Sequence, residues 1–408
     1  MSASNLRPVY LVGACRTPFQ KVATGFLDLM SYQLAATTLR GLRRRFGFDQ
    51  LDRVIFGATV SNARATNVAR EALFAAGLPA EIPALTLTAA GASATLAVCH
   101  GADLIATGQA EVVVAGGSDC VSDPPIGYSR SMRQKLVKAR RLSGFWPRLR
   151  FLLTLRPWDF LPDLPDVVEL STGQTMGAFT EELAAELGIS RPEQDAYALE
   201  SHRRAAAAHA RLRAEIEPVA LADGREITAD NGIRAQATLE QLAALPPAFA
   251  RGGTLTAGNS SFLTDGAAAV LLASESWLAE RGLAPRVLLK AHQLTAHDPR
   301  RQLLLGPAFA IPRLLERAGL AFDQIDVFEI HEAFAAQMLA LRRRLPELPA
   351  DRTNAWGGSL AIGNPFAPNG ARLLGTALSR LAAENGRRAV VATCAGGGLG
   401  HALLLEAI

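Results

Sequence analysis

The stretch PALTLTAAGASATLAVCHGADLIATGQAEVVVAGG, Pro83 to Gly117, decides how the chain is read. It spells a short strand, a tight bend at Ala90-Gly91-Ala92, a long alanine-rich helix and an apolar strand ending in Gly-Gly. The runs PVYLVGA, RVIFGA, VVVAGGSD and AAAVLLASE are equally apolar, the pattern of strands covered on both faces. RVLLKAHQLTA, DVFEIHEAF and RAVVATCAGGGLGHALLLEA repeat that style near the end of the chain. Strands alternating with helical segments indicate the α/β class, in two similar halves. A strand-to-helix bend often seats a nucleophile, because a helix N-terminus favours developing negative charge. Here the residue at the bend is glycine.

Composition narrows the remainder. With 408 residues and 49% hydrophobic content, the chain is long enough for more than one domain around a large core. A net charge of +4 gives no electrostatic footprint for nucleic acid. No apolar run is long enough to cross a bilayer, and the start does not read as a signal peptide. Cys15, Cys99, Cys120 and Cys394 have neither paired nor metal-ligand spacing, so no metal or cofactor is expected and a reducing cytoplasm is the simplest compartment.

Residues 123–252 read differently, as a helical insertion with Ser190 as a helix cap and Pro192 close behind. Within it, RSMRQKLVKARRLSGFWPRLRFLLTLRPWDFLPDLP (130–165) carries nine Lys and Arg residues before its first acid, Asp159, interleaved with Phe145, Trp146, Phe151 and Trp158. Two readings stand side by side. One is a segment, 130–158, in peripheral contact with a membrane. The other is a solvated loop whose arginines hold an anionic ligand or a partner subunit.

Six segments together resemble the thiolase family: VYLVGACRTPF, STGQTMGAFTEELAAELGISRPEQDAYALESH, GGTLTAGNSSFLTDGAAAVLLASE, FEIHEAFAAQ, GGSLAIGNPFAPNGARLL and CAGGGLGHALLLE. The His-Glu-Ala-Phe form and the basic insertion are most similar to the β-subunit branch, that of the fatty-acid oxidation trifunctional complex. The resemblance implies a thiolase-like fold of two doubly wound α/β halves packed face to face. One half is expected from 1–122 plus 253–275, a loop domain from 123–252, and the other half from 276–408. It also implies a CoA thioester as substrate or ligand, and a homodimer or hetero-oligomer.

In that family the bend carries the acyl-accepting cysteine; here Thr88-Ala89-Ala90-Gly91-Ala92-Ser93-Ala94 puts Gly91 in its place. The family's Gly-His-Pro histidine is replaced by Asn364 in Gly363-Asn364-Pro365. Cys394 matches the second cysteine, which moves a proton at the substrate α-carbon. Gly91 and Gly396 match the positions whose amides form the oxyanion hole. His331 and Glu332 read as the start of a helix after DVFEI, and the resemblance implies that His331 orients a water or donates directly to the thioester oxygen. Ser261, which also reads as a turn hydroxyl, and Met176 match the pantetheine channel. Cys99 is eight positions beyond Gly91, about 12 Å along a helix, too far to replace the nucleophile. Ser93 reads as a helix N-cap or a satisfied buried hydroxyl, and His202 and His209 as solvated. Two functions follow. One is C–C bond chemistry on CoA thioesters without an acyl-cysteine (aldol, retro-aldol or Claisen-type). The other is a non-catalytic relative that binds acyl-CoA or supports an active partner.

Overall fold

The apolar runs become the strands of one sheet in the computed structural model, which describes residues 6–164, 168–284 and 286–408. In chain order they are β1 (Tyr10–Arg16), β2 (Arg53–Gly57), β3 (Ala84–Leu87), β4 (Val112–Asp119), β5 (Thr264–Ala273), β6 (Val287–Ala296), β7 (Val327–Ile330), β8 (Arg388–Ala395) and β9 (Leu399–Ala407). Their spatial order is β7-β8-β9-β6-β1-β5-β4-β2-β3, and Gln20–Lys21 adds a short tenth strand beside β5. The halves join at β1 and β6 through the pairs Tyr10↔Leu288 and Leu11↔Val287. Each half is mixed: β2 runs parallel to β3 and β4, and β7 to β8, while β5 and β9 run antiparallel to their neighbours.

The main helices are α1 (Ser31–Phe46), α2 (Val68–Ala75), α3 (Ser93–Ala106), α4 (Arg130–Ala139), α5 (Phe145–Leu152), α6 (Met176–Glu186), α7 (Arg191–Ala207), α8 (Gly306–Ala318), α9 (Ala335–Arg344) and α10 (Asn369–Glu384). Every residue of β4 and β5 is buried, so both faces need cover. The outer cover is α1 and α2 on one half, α8 and α9 on the other. The inner cover is shared. Val98 and Ile105 of α3 and Leu373 and Ala377 of α10 lie in one apolar cluster with Val113 and Val270 of the first half and Val391 and Leu403 of the second. This shared layer sets the start of α3 against the end of β8.

The insertion carries the helices α4 to α7, with two-residue strands at Pro162–Asp163, Val168–Glu169 and Gln174–Thr175 between α5 and α6, and beyond Ala214 it is mostly turns with a short strand pair, Val219–Ala220 and Glu226–Ile227, and a short helix, Leu239–Ala243. Ser190 and Glu193 form a capping box at the start of α7, with Pro192 in the first turn, as the sequence indicates. His202 departs from expectation. It is buried, its Nδ1 accepts the Arg234 N–H at 3.2 Å, and burial pushes its pKa down to about 4. His209 is exposed. The helix expected from His331 starts instead at Ala335. The turn before it bonds to the 259–261 segment (Ser261 N–H to Ala333 O, 2.9 Å; Ala335 N–H to Asn259 O, 2.9 Å), which holds it extended.

Glu332 in that turn ties α7 to the second half. Tyr197 Oη and Asn354 Nδ2 donate to its Oε1 at 3.0 and 2.8 Å, and Ser201 Oγ donates to Oε2 at 2.8 Å. Nearby, Glu329 lies between Arg380 (2.9 Å) and Arg372 (3.9 Å), all three buried. Removing a buried carboxylate leaves its guanidinium partners uncompensated, which typically costs about 3–5 kcal/mol. Glu329→Ala is therefore expected to lose stability on that scale in denaturant unfolding. A change within experimental error would show that the arginines find other partners.

Candidate active site

The bend after β3 is a single tight turn, Ala90–Ala92, in which Ala90 takes a left-handed φ of 47°. Ser93 closes it: its hydroxyl accepts the Ala89 N–H at 2.8 Å and donates to the Ala90 carbonyl at 2.7 Å. That is the satisfied buried hydroxyl expected from sequence. Gly91 faces the end of β8, where a Cβ at position 91 would lie 2.6 Å from the Cys394 carbonyl oxygen. Side-chain carbons do not approach backbone oxygen so closely, so the folded bend admits glycine and no larger residue without displacement. Among the described residues, neither the Gly91 nor the Gly396 amide has a hydrogen-bond partner. Gly397 and Gly398, at φ 79° and 70°, turn the backbone back towards β9.

Cys394 is 2% exposed, and burial pushes its thiol up to about 12. At neutral pH it is a thiol, a poor nucleophile and a proton donor. Cys99 sits deeper along α3, with its sulfur 3.7 Å from His401 Nε2.

His331 is also buried, and burial together with the Arg372 charge pushes it down to about 3. It is a neutral imidazole. Its Nδ1 lies 3.1 Å from Ser359 Oγ, which also accepts from Arg372 Nη2 at 3.1 Å. Its backbone N–H donates to Ala392 O on β8, two residues before Cys394.

Asn364 is held on three sides. Its Oδ1 accepts the Phe366 N–H at 3.1 Å and Asn369 Nδ2 at 2.6 Å, and its Nδ2 donates to Ser261 Oγ at 3.1 Å. The Phe366 amide can only donate, which fixes which end of the side chain is oxygen. Ser261 is thus more than a turn hydroxyl. Asp119 ties this turn to the bend: buried at the end of β4, it accepts N–H groups of Thr59, Val60 and Ala367 at 2.8, 2.8 and 2.9 Å, and Thr59 Oγ1 donates to Ala90 O at 3.2 Å. Burial raises the Asp119 carboxyl to about 7 despite those three donors.

Met176 opens α6 beside the glycine loop, its Cε 3.8 Å from where a Cβ on Gly396 would be. Glu169 is there too. Its Oε2 accepts the Gly397 N–H at 2.7 Å, and Ser171 Oγ donates to Oε1 at 3.2 Å.

The chain matches the thiolase N-terminal domain over residues 9–276 and the thiolase C-terminal domain over 283–407. The chain belongs to the thiolase family. It is 41% identical to the human mitochondrial trifunctional enzyme subunit beta, covering 100% of this chain and 90% of that protein. It is 40% identical to a probable 3-ketoacyl-CoA thiolase of Caenorhabditis elegans, covering 100% and 96%. Crystal structures of the human mitochondrial 3-ketoacyl-CoA thiolase (TM-score 0.88, 31% identity, 99% and 100% covered) and the Bacillus anthracis acetyl-CoA acetyltransferase (TM-score 0.89, 30% identity, 100% of both chains) share its fold.

Gly91, Cys394, Gly396 and Met176 converge at the bend and the glycine loop; Asn364 and Ser261 bond to each other, and the Ser261 N–H reaches the Ala333 carbonyl, two residues beyond His331. Sequence reading missed Glu169, Asp119, Ser359 and Asn369. Asp119 and Ser359 stand in the Gly-Gly-Ser motifs GGSD and GGSL, the one visible signal; Glu169 has none, because its partner is 228 residues away.

The contact at position 91 yields a prediction. Gly91→Cys alone is expected to destabilise the fold by about 1–3 kcal/mol, the usual cost of overpacking, and to give little thiolysis. The double variant with Asn364→His is expected to recover more, since nucleophile and activator act as a unit. Unfolding curves and a CoA-release assay check both. A fully stable, fully active Gly91→Cys single variant would contradict this account of the bend.

Proposed function

We propose that this thiolase-family chain binds a CoA thioester and makes or breaks a bond at its α-carbon through an enolate, with no acyl-cysteine. Aldol, retro-aldol and Claisen-type reactions all pass through that enolate. The observation that carries the reading is the Cys394 carbonyl against Gly91: no nucleophilic side chain fits at the bend, while the amides beside it are unpartnered. Those two N–H groups suit a thioester oxyanion. Neutral His331 and the Asn364 amide are donors without charge, suited to polarising a carbonyl. Cys394 carries the α-proton in both directions: its thiolate takes the proton as the enolate forms and the resulting thiol returns it, the thiol being the resting form because burial raises it to about 12.

The experiment is incubation with 3-hydroxyacyl-CoA and 3-ketoacyl-CoA, with an aldehyde trap and mass spectrometry of the protein. Aldehyde release or acyl transfer with no acylated cysteine is expected. Acyl label on Cys394 would overturn the reading.

The alternative, a non-catalytic acyl-CoA binder, draws support from Glu169, whose carboxylate takes the Gly397 N–H beside the oxyanion position. An anion there repels a thioester oxyanion. Glu169→Gln is accordingly expected to tighten acyl-CoA binding several-fold in calorimetry; weaker binding would assign Glu169 to substrate recognition instead.

We further propose a peripheral membrane contact through 130–158. The supporting observation is exposure of large apolar groups beside the arginines: Phe145 70%, Trp146 72%, Leu153 79% and Trp158 59%. Among the described residues no helix is long and apolar enough to cross a membrane. Each basic residue near an anionic surface contributes about 1 kcal/mol. Neutralising Arg140, Arg141, Arg148 and Arg150 should therefore sharply reduce co-sedimentation with anionic vesicles at low salt. Wild-type protein that ignores such vesicles would leave these arginines to CoA phosphates or a partner subunit.

A further inference from the structure

Away from the bend, three side chains from distant parts of the chain meet at the inner layer. Cys99 comes from α3, His292 from β6 and His401 from β9. Cys99 Sγ is 3.7 Å from His401 Nε2, and His401 Nε2 is 3.4 Å from His292 Nδ1; the three donor atoms all lie within 4.8 Å of one another. Zinc bonds of about 2.0 Å to nitrogen and 2.3 Å to sulfur, at tetrahedral angles, place donors roughly 3.3–3.6 Å apart. The His401–His292 separation falls within that range and the Cys99–His401 separation lies just above it, so small side-chain shifts bring the donors to a coordinated set. From this geometry we propose that Cys99, His292 and His401 form a zinc site that clamps α3 of the first half to the sheet of the second.

The surroundings suit the role. Thr95 Oγ1 donates to the Ala92 carbonyl at 2.9 Å, so it receives the proton of His401 Nδ1, 2.9 Å away. That bond fixes the tautomer and leaves the Nε2 lone pair facing Cys99 and His292, the usual outer support of a metal-bound histidine. A neutral imidazole is the ligating form. Zinc binding displaces the Cys99 thiol proton to solvent as the sulfur–zinc bond forms. Half-buried His292 gives the site an opening, and a fourth position remains for water. One thiolate and two imidazoles favour zinc over the hard cations calcium and magnesium. Sequence spacing does not reveal the site, because Cys99 and His401 are 302 residues apart. The role is structural and separate from the thioester chemistry proposed above, so it stands or falls independently.

The test uses full-length protein stripped by a chelator and titrated with zinc against a competing indicator, then with cobalt. One zinc per chain is expected. The cobalt form should show the intense visible bands of a tetrahedral ion and a thiolate-to-cobalt charge-transfer band in the near ultraviolet. His292→Phe, at a half-buried position, should leave the metal-free melting curve near that of wild type and weaken zinc at least tenfold. Cys99→Ser should abolish the charge-transfer band. Thr95→Val, which removes the outer support together with the Thr95 bond to Ala92, should weaken zinc by about 10- to 100-fold. Zinc affinity unchanged in His292→Phe, a cobalt spectrum of weak octahedral type, or no stoichiometric zinc in the wild type would each overturn the proposal.

Discussion

The Cys394 carbonyl oxygen lies where a side chain at position 91 would begin, and the architecture of the site depends on that contact. It exists because α3 and α10 form one layer shared by both halves of the sheet, which brings the start of α3 against the end of β8. A small residue at the bend lets strand and helix start meet directly. The donors of the site are then backbone amides at the junction, and the helix start itself carries no sulfur. Cys99, on the same helix, is turned instead towards His401.

Around this contact the site is built from neutral groups held by buried charge. His331 is kept uncharged by burial and by Arg372, and the same arginine donates to the Ser359 hydroxyl that meets the His331 ring. Asn364 is oriented by one amide that can only donate and by Asn369. Asp119 gathers three N–H groups from two loops, so the Asn364 turn and the Gly91 bend are placed by one carboxylate. His331, Asn364 and the Gly91 amide thus present dipoles, while a carboxylate, Glu169, sits at the glycine loop on the Gly397 N–H.

Much of this was legible in the chain. The apolar runs become the strands, and the bend and helix of Pro83–Gly117 fall where the pattern puts them, because burial on both faces leaves an unambiguous signal. The roles of Ser93 and Ser190 follow from local chemistry of bends and caps. Long-range partnerships did not show. His202 looks solvated by its charged neighbours, yet α7 turns it into the protein against Arg234. α9 starts at Ala335 rather than at His331 because the Asn259–Ser261 segment, some seventy residues earlier, takes the hydrogen bonds of the turn. The Glu169–Gly397 bond and the Cys99–His292–His401 group are contacts between distant segments, which no periodicity encodes.

The most direct measurement of the central claim is hydrogen exchange at the α-carbon of a saturated acyl-CoA in deuterated water, followed by mass spectrometry of the recovered thioester. Wild-type protein is expected to incorporate deuterium at that carbon, and Cys394→Ala to lose the exchange while still binding the ligand. Wild-type protein that binds acyl-CoA tightly yet exchanges no faster than buffer would contradict enolate chemistry and leave a binding role in its place.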